Sequence, residues 1–464
     1  MSETVVKENK MGVKPVKSLI ISMSLPMMIS MLVQALYNIV DSVFVSRMGE
    51  SALTAVTVAF PMQSLMIAVS SGTGVGINAM LSTSLGAKDF EKSDAAANKG
   101  VFLAFCSYIL FLLLGLFVAE PFIATQSQTP EVIAYGTSYL KIVTTLSVGL
   151  FFQMTFERLL QSTGLTFYSM ITQTVGAVIN IILDPIMIFG FLGCPALGVA
   201  GAAYATVIGQ TVAGLLALFF NLKVNKEIHF SMNKVLKSDA ETIWRIYSVG
   251  IPSILMMSIM SVMSFFMNKI LKGFSETAVA VYGVYFRLQS FFFMPVFGMN
   301  NGIIPVLAYN YGAKKRARID EALKFGVILA VCIMTVGTII FEVFPDKLLD
   351  IFNADDNMKS IGVTALRIIA IHYPFAAVAI SLGTVFQAFS KSIYSLIISV
   401  CRQLVILLPV AWFLAVFTGD VNKVWFSFLA AEGMSCVLSI IFFKLVYSQT
   451  VEPIGKEETA AGNV

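Results

Sequence analysis

The sequence predicts an all-α polytopic membrane protein, with twelve transmembrane helices in two pseudo-symmetric six-helix bundles. Three observations predict it. Hydrophobic residues make up 57% of the 464 positions and charged residues only 12%, about half the charged share of a soluble domain. Twelve apolar runs follow one another, each long enough to cross a bilayer. The second half of the chain repeats the first at one constant offset.

The runs lie near 18–46, 52–84, 96–119, 132–157, 163–190 and 196–221, then near 241–271, 277–308, 323–344, 360–386, 392–417 and 422–447. Charge placement tests this count through the positive-inside rule. With the N-terminus inside and strict alternation, 21 of the 31 Lys and Arg fall in inner segments, 6 in outer segments and 4 within runs. That bias predicts an even number of helices and both termini in the cytoplasm. The opening stretch before Ser18 has no short apolar region followed by small residues, so no secretory signal is expected. The expected division is a cytoplasmic tail (1–17), a first lobe (18–221), a cytoplasmic connection (222–240), a second lobe (241–447) and a second cytoplasmic tail (448–464).

The halves match at an offset of 226. Pro26 pairs with Pro252, Gln63 with Gln289, Gly72 with Gly298 and Gly76 with Gly302. Gly86-Ala87-Lys88 pairs with Gly312-Ala313-Lys314, Gln161 with Gln387, and Tyr168-Ser169 with Tyr394-Ser395. A duplicated six-helix unit is expected. Because each unit has an even number of helices, the repeats are parallel, an arrangement used by secondary transporters with the substrate path between repeats. The run Gly72-Thr73-Gly74-Val75-Gly76 has no preceding strand and no following Lys-Ser/Thr, so it reads as helix contact through small residues, not as a nucleotide loop.

Two acids stand out on apolar spans. In the first run, Gln34, Tyr37, Asn38 and Asp41 recur at three- and four-residue steps and share one helical face. Pro26 in the same run removes a backbone hydrogen bond and predicts a hinge. The fifth run carries Asn180 and Asp184 four residues apart, with Pro185 as a second hinge candidate. Both runs point outward, and both acids lie five or six residues from the outer end. They are expected at similar depth, converging on one site. A carboxylate in hydrocarbon is costly and functional by default; the bland alternative is an acid that pins helices together. Two carboxylates and an amide suit Na⁺ (Asp41, Asn180 and Asp184 as ligands) or a shared proton. The offset places Met267 opposite Asp41 and Leu408 near Asp184, so the acids belong to one lobe.

Other features read more plainly. The five cysteines lack metal or redox spacing. Lys141 and Arg367 are repeat-matched basic residues, expected to be structural. Arg287 and Arg402 are expected to be neutralised, with Glu432 as the candidate partner. His372 reads as a hydrogen-bonded interior histidine, and Glu157-Arg158 as a local ion pair. Met256, Met260, Met263 and Met267 form a stripe on the seventh run; it is either helix-packing filler or a pliable wall of a substrate cavity, shared with Gln34 and Asn38.

These features together carry a resemblance. The segments SLPMMISMLVQALYNIVDSVFVSRMGESALTAV and SSGTGVGINAMLSTSLGAKD, with the later GMNNGIIPVLAYNYGAKK, resemble the MATE (multidrug and toxic compound extrusion) family of transporters over about residues 18–447. The nearest likeness is to its prokaryotic, methionine-rich, MepA-like subgroup of multidrug exporters. The resemblance implies two lobes forming a V, alternating access, and antiport of organic, mainly cationic aromatic, compounds against H⁺ or Na⁺. Matched by position, it implies a coupling site at Asp41, Asn180 and Asp184 with Tyr37 and Tyr139 as hydrogen-bonding neighbours. A sixth-helix hydroxyl completes such sites; here Thr206 supplies one, and Ala202 only a carbonyl, which favours a proton over Na⁺.

The expectation is therefore a secondary active multidrug efflux antiporter, monomeric, in the plasma (inner) membrane of a prokaryote. It needs the bilayer and small-molecule drugs as partners, no nucleic acid, and no cofactor beyond the coupling ion. The alternative is a flippase for a lipid-linked saccharide, which needs a basic cavity. No nucleophile triad, metal motif or ATP loop supports an enzyme.

Overall fold

A computed structural model describes residues 8–237, 239–352 and 354–454. Residues 1–7 and 455–464, within the two expected tails, lie outside the described residues. The described chain is helical, and no strand occurs in it. Ten helices are long and apolar enough to cross a membrane, and two bent pairs bring the number to twelve. In order these spans are Val16–Ser46, Glu50–Gly86, Phe90–Phe117, Pro130–Thr145 with Val148–Ser162, Thr166–Phe189 and Val199–Lys223. The second six are Ala240–Lys272, Glu276–Gly312, Arg316–Val343, Asp356–Ala370 with Tyr373–Ala388, Ser392–Thr418 and Val421–Ile454. They are called spans 1 to 12 below.

The repeat is written into the backbone. Spans 4 and 10 break at matched positions, Leu146-Ser147 and His372, with bends of 46° and 47°. The sequence signals only the second break, through Pro374. In span 4 the hydroxyls of Thr144 and Thr145 bond back to the carbonyls of Leu140 and Lys141, both at 2.6 Å, competing with the helical ladder just before it ends. Lys88 and Lys314 are matched left-handed residues (φ 58° and 55°), as are Gly164 and Ser390 (φ 90° and 58°). Each closes its helix with a long backbone bond: Asp89 N to Ser84 O at 2.9 Å, and Lys315 N to Asn310 O at 2.9 Å.

Pro26 and Pro185 lie within spans 1 and 5, which continue helically past both. Span 11 opens into π-helical turns over Cys401–Leu407 immediately before Pro409, where the proline ring crowds the preceding turn.

The matched glycines explain how the halves meet. A Cβ on Gly86 would collide with the carbonyl of Tyr309, and one on Gly312 with the carbonyl of Thr83. Residues 83 and 309 are themselves 226 apart, so the two contacts are reciprocal. Gly298 and Gly302 of span 8 lie against Met27 and the Met23–Ser24 backbone of span 1, while Gly72 and Gly76 of span 2 lie against Ile254 and Ile246 of span 7. Ser24 Oγ donates to Met299 O at 3.1 Å. These contacts cluster toward the end of the molecule that holds the 86–90 and 312–316 turns and the 222–240 connection, here called the basic end.

The first described residues seal that end. Asn9 Nδ2 donates to Thr163 O (3.1 Å) and Glu227 Oε1 (2.8 Å) in the first half. The Met11 carbonyl accepts from Asn310 Nδ2 (3.1 Å) and Arg318 Nη2 (3.0 Å) in the second, and Lys315 Nζ bridges Glu8 Oε1 (2.5 Å) and Gly12 O (2.9 Å). Met11 is fully buried. The 222–240 connection belongs physically to the first half. Asp94, Asn98 and Lys99 of span 3 hold it: His229 N donates to Asp94 Oδ1 at 2.8 Å, Asn98 bonds the backbone on both sides of Phe230, and Lys99 Nζ caps the Val235 carbonyl at 2.8 Å.

Two predictions follow from this end of the fold. Replacing Gly312 with Leu forces side-chain atoms into the Thr83 backbone, and overpacking of this kind costs about 1–3 kcal/mol. Gly283 has open space around it, so Gly283→Leu is the control. Thermal unfolding in detergent should show the first variant destabilised and the second unchanged. The Lys315 ammonium holds the Glu8 carboxyl below its ordinary value of 4.5. A lowered carboxyl favours docking above that ordinary value, and the contribution fades as pH falls through the depressed one. Hydrogen exchange of residues 10–14 should be faster in Glu8→Gln at neutral pH, and the difference should vanish at low pH.

Candidate functional site

Asp41 and Asp184 meet. Span 1 brings Asp41 inward from its sixth-last position, span 5 brings Asp184 to the same depth, and the two carboxyl groups lie within hydrogen-bonding reach of each other. Asp184 is fully buried. Asp41 Oδ1 is shielded and has no hydrogen-bond partner of its own. Among the described residues neither acid has a basic partner within ion-pair distance. Two ionised carboxylates at contact repel strongly in a medium of low dielectric. A proton on one of them, or a cation between them, would relieve that repulsion.

A polar shell surrounds the pair. The Asn180 amide, in the orientation that satisfies both its ends, donates to Asp184 Oδ2 at 3.2 Å. Its carbonyl accepts from Thr206 N at 3.0 Å and Thr206 Oγ1 at 3.3 Å. The Tyr37 hydroxyl is directed at Thr206, and the buried Tyr139 lies beside Asp41, Tyr37 and Asp184 with its hydroxyl toward Gln63. A polar path thus runs from Tyr37 through Thr206 and Asn180 to Asp184 and Asp41. Ala202 is buried one turn from Thr206 on span 6, in the apolar floor that also contains Tyr139.

The other sequence-selected residues fall elsewhere. Gln34 and Asn38 are exposed on span 1, outside the acid cluster. The methionine stripe of span 7 divides. Met256 is half-buried and Met260 exposed, whereas Met263 and Met267 are buried in the main core, with the Tyr282 hydroxyl 3.5 Å from Met263 Sδ. A continuous methionine wall is thereby corrected to two partly open residues and two packing residues, because the helix turns its last methionines onto span 8.

Glu157 and Arg158 do not pair with each other. Adjacent helical residues point about 100° apart, and each is buried against a different surface. Glu157 accepts from Gln173 (2.7 Å), Gln153 (3.0 Å) and Thr172 (3.0 Å) inside the first half. Arg158 donates to Gln161 and, across the interface, to Asn301. Arg402 does pair with Glu432, both carboxylate oxygens at 3.3 Å from Nη1. His372 is buried at the span 10 break, its Nδ1 on the Ile369 carbonyl. Arg287 is exposed and makes no ion pair among the described residues.

Gln63 is a site neighbour that the acid-and-hydroxyl reasoning passed over. Its only sequence signal was the repeat match with Gln289, which accepts from the Tyr285 hydroxyl at 2.7 Å in the second half. Thr206→Val removes the hydroxyl between Tyr37 and Asn180. It should cost about 1 kcal/mol of stability, measurable as a lowered midpoint of thermal unfolding.

Comparison with known proteins places this geometry. The MatE family profile matches the chain twice, over residues 26–186 and 252–413, with the starts separated by the repeat offset. The multidrug export protein MepA of Staphylococcus aureus (strain MSSA476) is 26% identical over 438 residues, covering 93% of this chain and 94% of that one. MepA of Staphylococcus saprophyticus is 27% identical over 424 residues, covering 91% and 92%. A solved structure described as the outward-facing conformation of a multidrug resistance MATE family transporter superposes with a TM-score of 0.90 at 24% identity, covering 98% of this chain and all of that one. The chain belongs to the MatE family: it is a multi-pass membrane transporter, not an enzyme.

Proposed function

We propose that this transporter is a multidrug efflux antiporter, exporting organic, mainly cationic aromatic compounds in exchange for a cation bound at Asp41 and Asp184. The observation that carries the reading is the close approach of half-buried Asp41 to buried Asp184, in one half only. A repulsion that a proton or a cation relieves marks a natural place to exchange one. The likeness to MepA, a multidrug export protein by name, supports the substrate class. Between H⁺ and Na⁺ the site favours the proton, since the shell offers the hydroxyls of Tyr37, Tyr139 and Thr206 and a single amide, a poor oxygen cage for Na⁺ beyond the two acids. The 21-to-6 bias of basic residues supports a cytoplasmic basic end in a prokaryotic plasma membrane. The seal at that end supports a cleft open to the outside, with alternating access bringing it to the cytoplasm and with Pro26 and Pro185 as hinge candidates. Gln34, Asn38, Met256 and Met260 are the candidates for contact with drug.

A lipid-saccharide flippase would need a basic cavity. Arg402 is matched by Glu432, Lys141 lies 3.5 Å from Glu120, and Arg287 and Arg367 are exposed. That distribution weighs against it.

Reconstituted into vesicles, the protein should export a fluorescent organic cation when an inward proton gradient is imposed, and a sodium gradient alone should not drive it. Asp41→Asn and Asp184→Asn should each abolish gradient-driven export. Undiminished export by both variants would overturn the coupling assignment, and drive by sodium alone would replace the proton with Na⁺.

A further inference from the structure

The repeat asymmetry that marks Asp41 and Asp184 marks a second pair of charges. At the 226 offset, Glu157 and Arg158 stand opposite Gly383 and Thr384. Neither charge belongs to the duplicated scaffold. Arg158 is 7% exposed, and it lies between the halves. Its Nη1 donates to Gln161 Oε1 at 2.9 Å and to Asn301 Oδ1 of span 8 at 3.1 Å, and its Nη2 reaches Ser71 Oγ of span 2 at 3.5 Å. Gly74 makes room for it: a Cβ there would sit 2.6 Å from Arg158 Cγ. Position 300 is the repeat mate of Gly74, and it carries Asn. The clearance therefore exists on one side only, as the arginine does.

We infer that Arg158 and Asn301 form the latch that holds the basic end closed, and that this end opens only when the pair parts. Resting on the alternating-access reading, the latch is a positioning device for the cycle and touches no drug. The chemistry of the pair suits that task. A guanidinium bonded to a neutral amide is held more firmly than a neutral pair. It lacks the full charge pairing of a buried arginine and carboxylate, whose separation is strongly unfavourable. The acceptor is an amide where a carboxylate would lock. The Asn9, Met11 and Arg318 bonds of the same end are made by the segment that precedes span 1, whereas Arg158 is a buried charge on a span, within the interface itself.

Two substitutions at half-buried Asn301 act in opposite directions, which a merely structural role would not produce. Spin labels on Lys88→Cys and Ala317→Cys, in a chain whose five native cysteines are Ser, report the separation of the halves in lipid nanodiscs. Asn301→Ala removes the cross-interface acceptor and should lower the closed-to-open ratio roughly ten-fold, broadening the distance distribution outward. Asn301→Asp should sharpen the closed distance and slow drug efflux from vesicles, and adding Arg158→Gln should release that lock. The latch is overturned if the wild type alternates between distances with drug or pH while both Asn301 variants match it, or if both shift the same way. A wild type fixed at one distance under every drug and ion condition overturns the alternating-access reading, and the latch with it.

Discussion

Everything in this molecule hangs on a backbone-to-backbone approach between its two halves. Lipid tails are as apolar as leucine, so helices in a bilayer gain little by hiding hydrophobic surface from one another; close packing must hold them. Gly86 against Tyr309 and Gly312 against Thr83 provide it at the basic end, and Gly72, Gly76, Gly298 and Gly302 extend it along spans 1, 2, 7 and 8. Any side chain at these positions would push the spans apart. Because the Gly86 and Gly312 contacts are reciprocal, their crossing point lies on the pseudo-two-fold axis. Among the described residues, the hydrogen bonds that join the halves lie at this end, from Ser24–Met299 and Arg158–Asn301 to the Asn9–Lys14 stretch. The far halves of spans 1 and 7 are free of them.

Symmetry and asymmetry divide the labour. The span 4 and 10 bends, the left-handed turns at 88 and 314 and at 164 and 390, and the Gly86 and Gly312 contacts occur in matched pairs, and they shape and join the halves. Asp41, Asp184, Glu157 and Arg158 occur once, and all lie in the first half. The second half has its own buried charges in Arg402 and Glu432, but they pair directly with each other, and His372 is held by a backbone carbonyl. Charges satisfied in that way need no visiting ion. The first-half acids lie close together and, among the described residues, have no basic partner within ion-pair distance.

Much of this was legible in residue types and spacing. Span number and the repeat follow from long apolar runs and a constant offset, because bilayer thickness and duplication leave strong periodic marks. The meeting of Asp41 with Asp184 followed from equal depth on two parallel spans. Direction around a helix was harder to read. Glu157 and Arg158 are adjacent in the chain and were expected to pair, yet a 100° turn sends one to Gln173 and the other to Asn301. The span 4 break has no proline to announce it; threonine hydroxyls compete for carbonyls just before it, and Gly149 follows two residues after Ser147. Met263 and Met267 share their stripe with Met260, and only the position of span 8 decides which of them is covered.

Spans 1 and 7 show how a one-sided site can act on a two-sided scaffold. They are repeat mates, each carrying a proline, Pro26 or Pro252, and each gripped near the basic end by glycines of the opposite half. Where they differ is farther along. Span 7 is anchored to its own bundle by Met263 and Met267 against Tyr282 and the surrounding apolar core, a contact indifferent to ions. Span 1 places Asp41 at the matched position, and its hold on the bundle runs through Asp184 and the Tyr37–Thr206–Asn180 path. That end of span 1 therefore meets acids, hydroxyls and an amide where span 7 meets an apolar core. The same helix also carries Ser24 and Met27 in the seal, so about 14–17 residues, roughly 20–25 Å of helix, join the acid pair to the crossing of the halves. Duplication supplied two such levers, and only one of them carries an acid near its end.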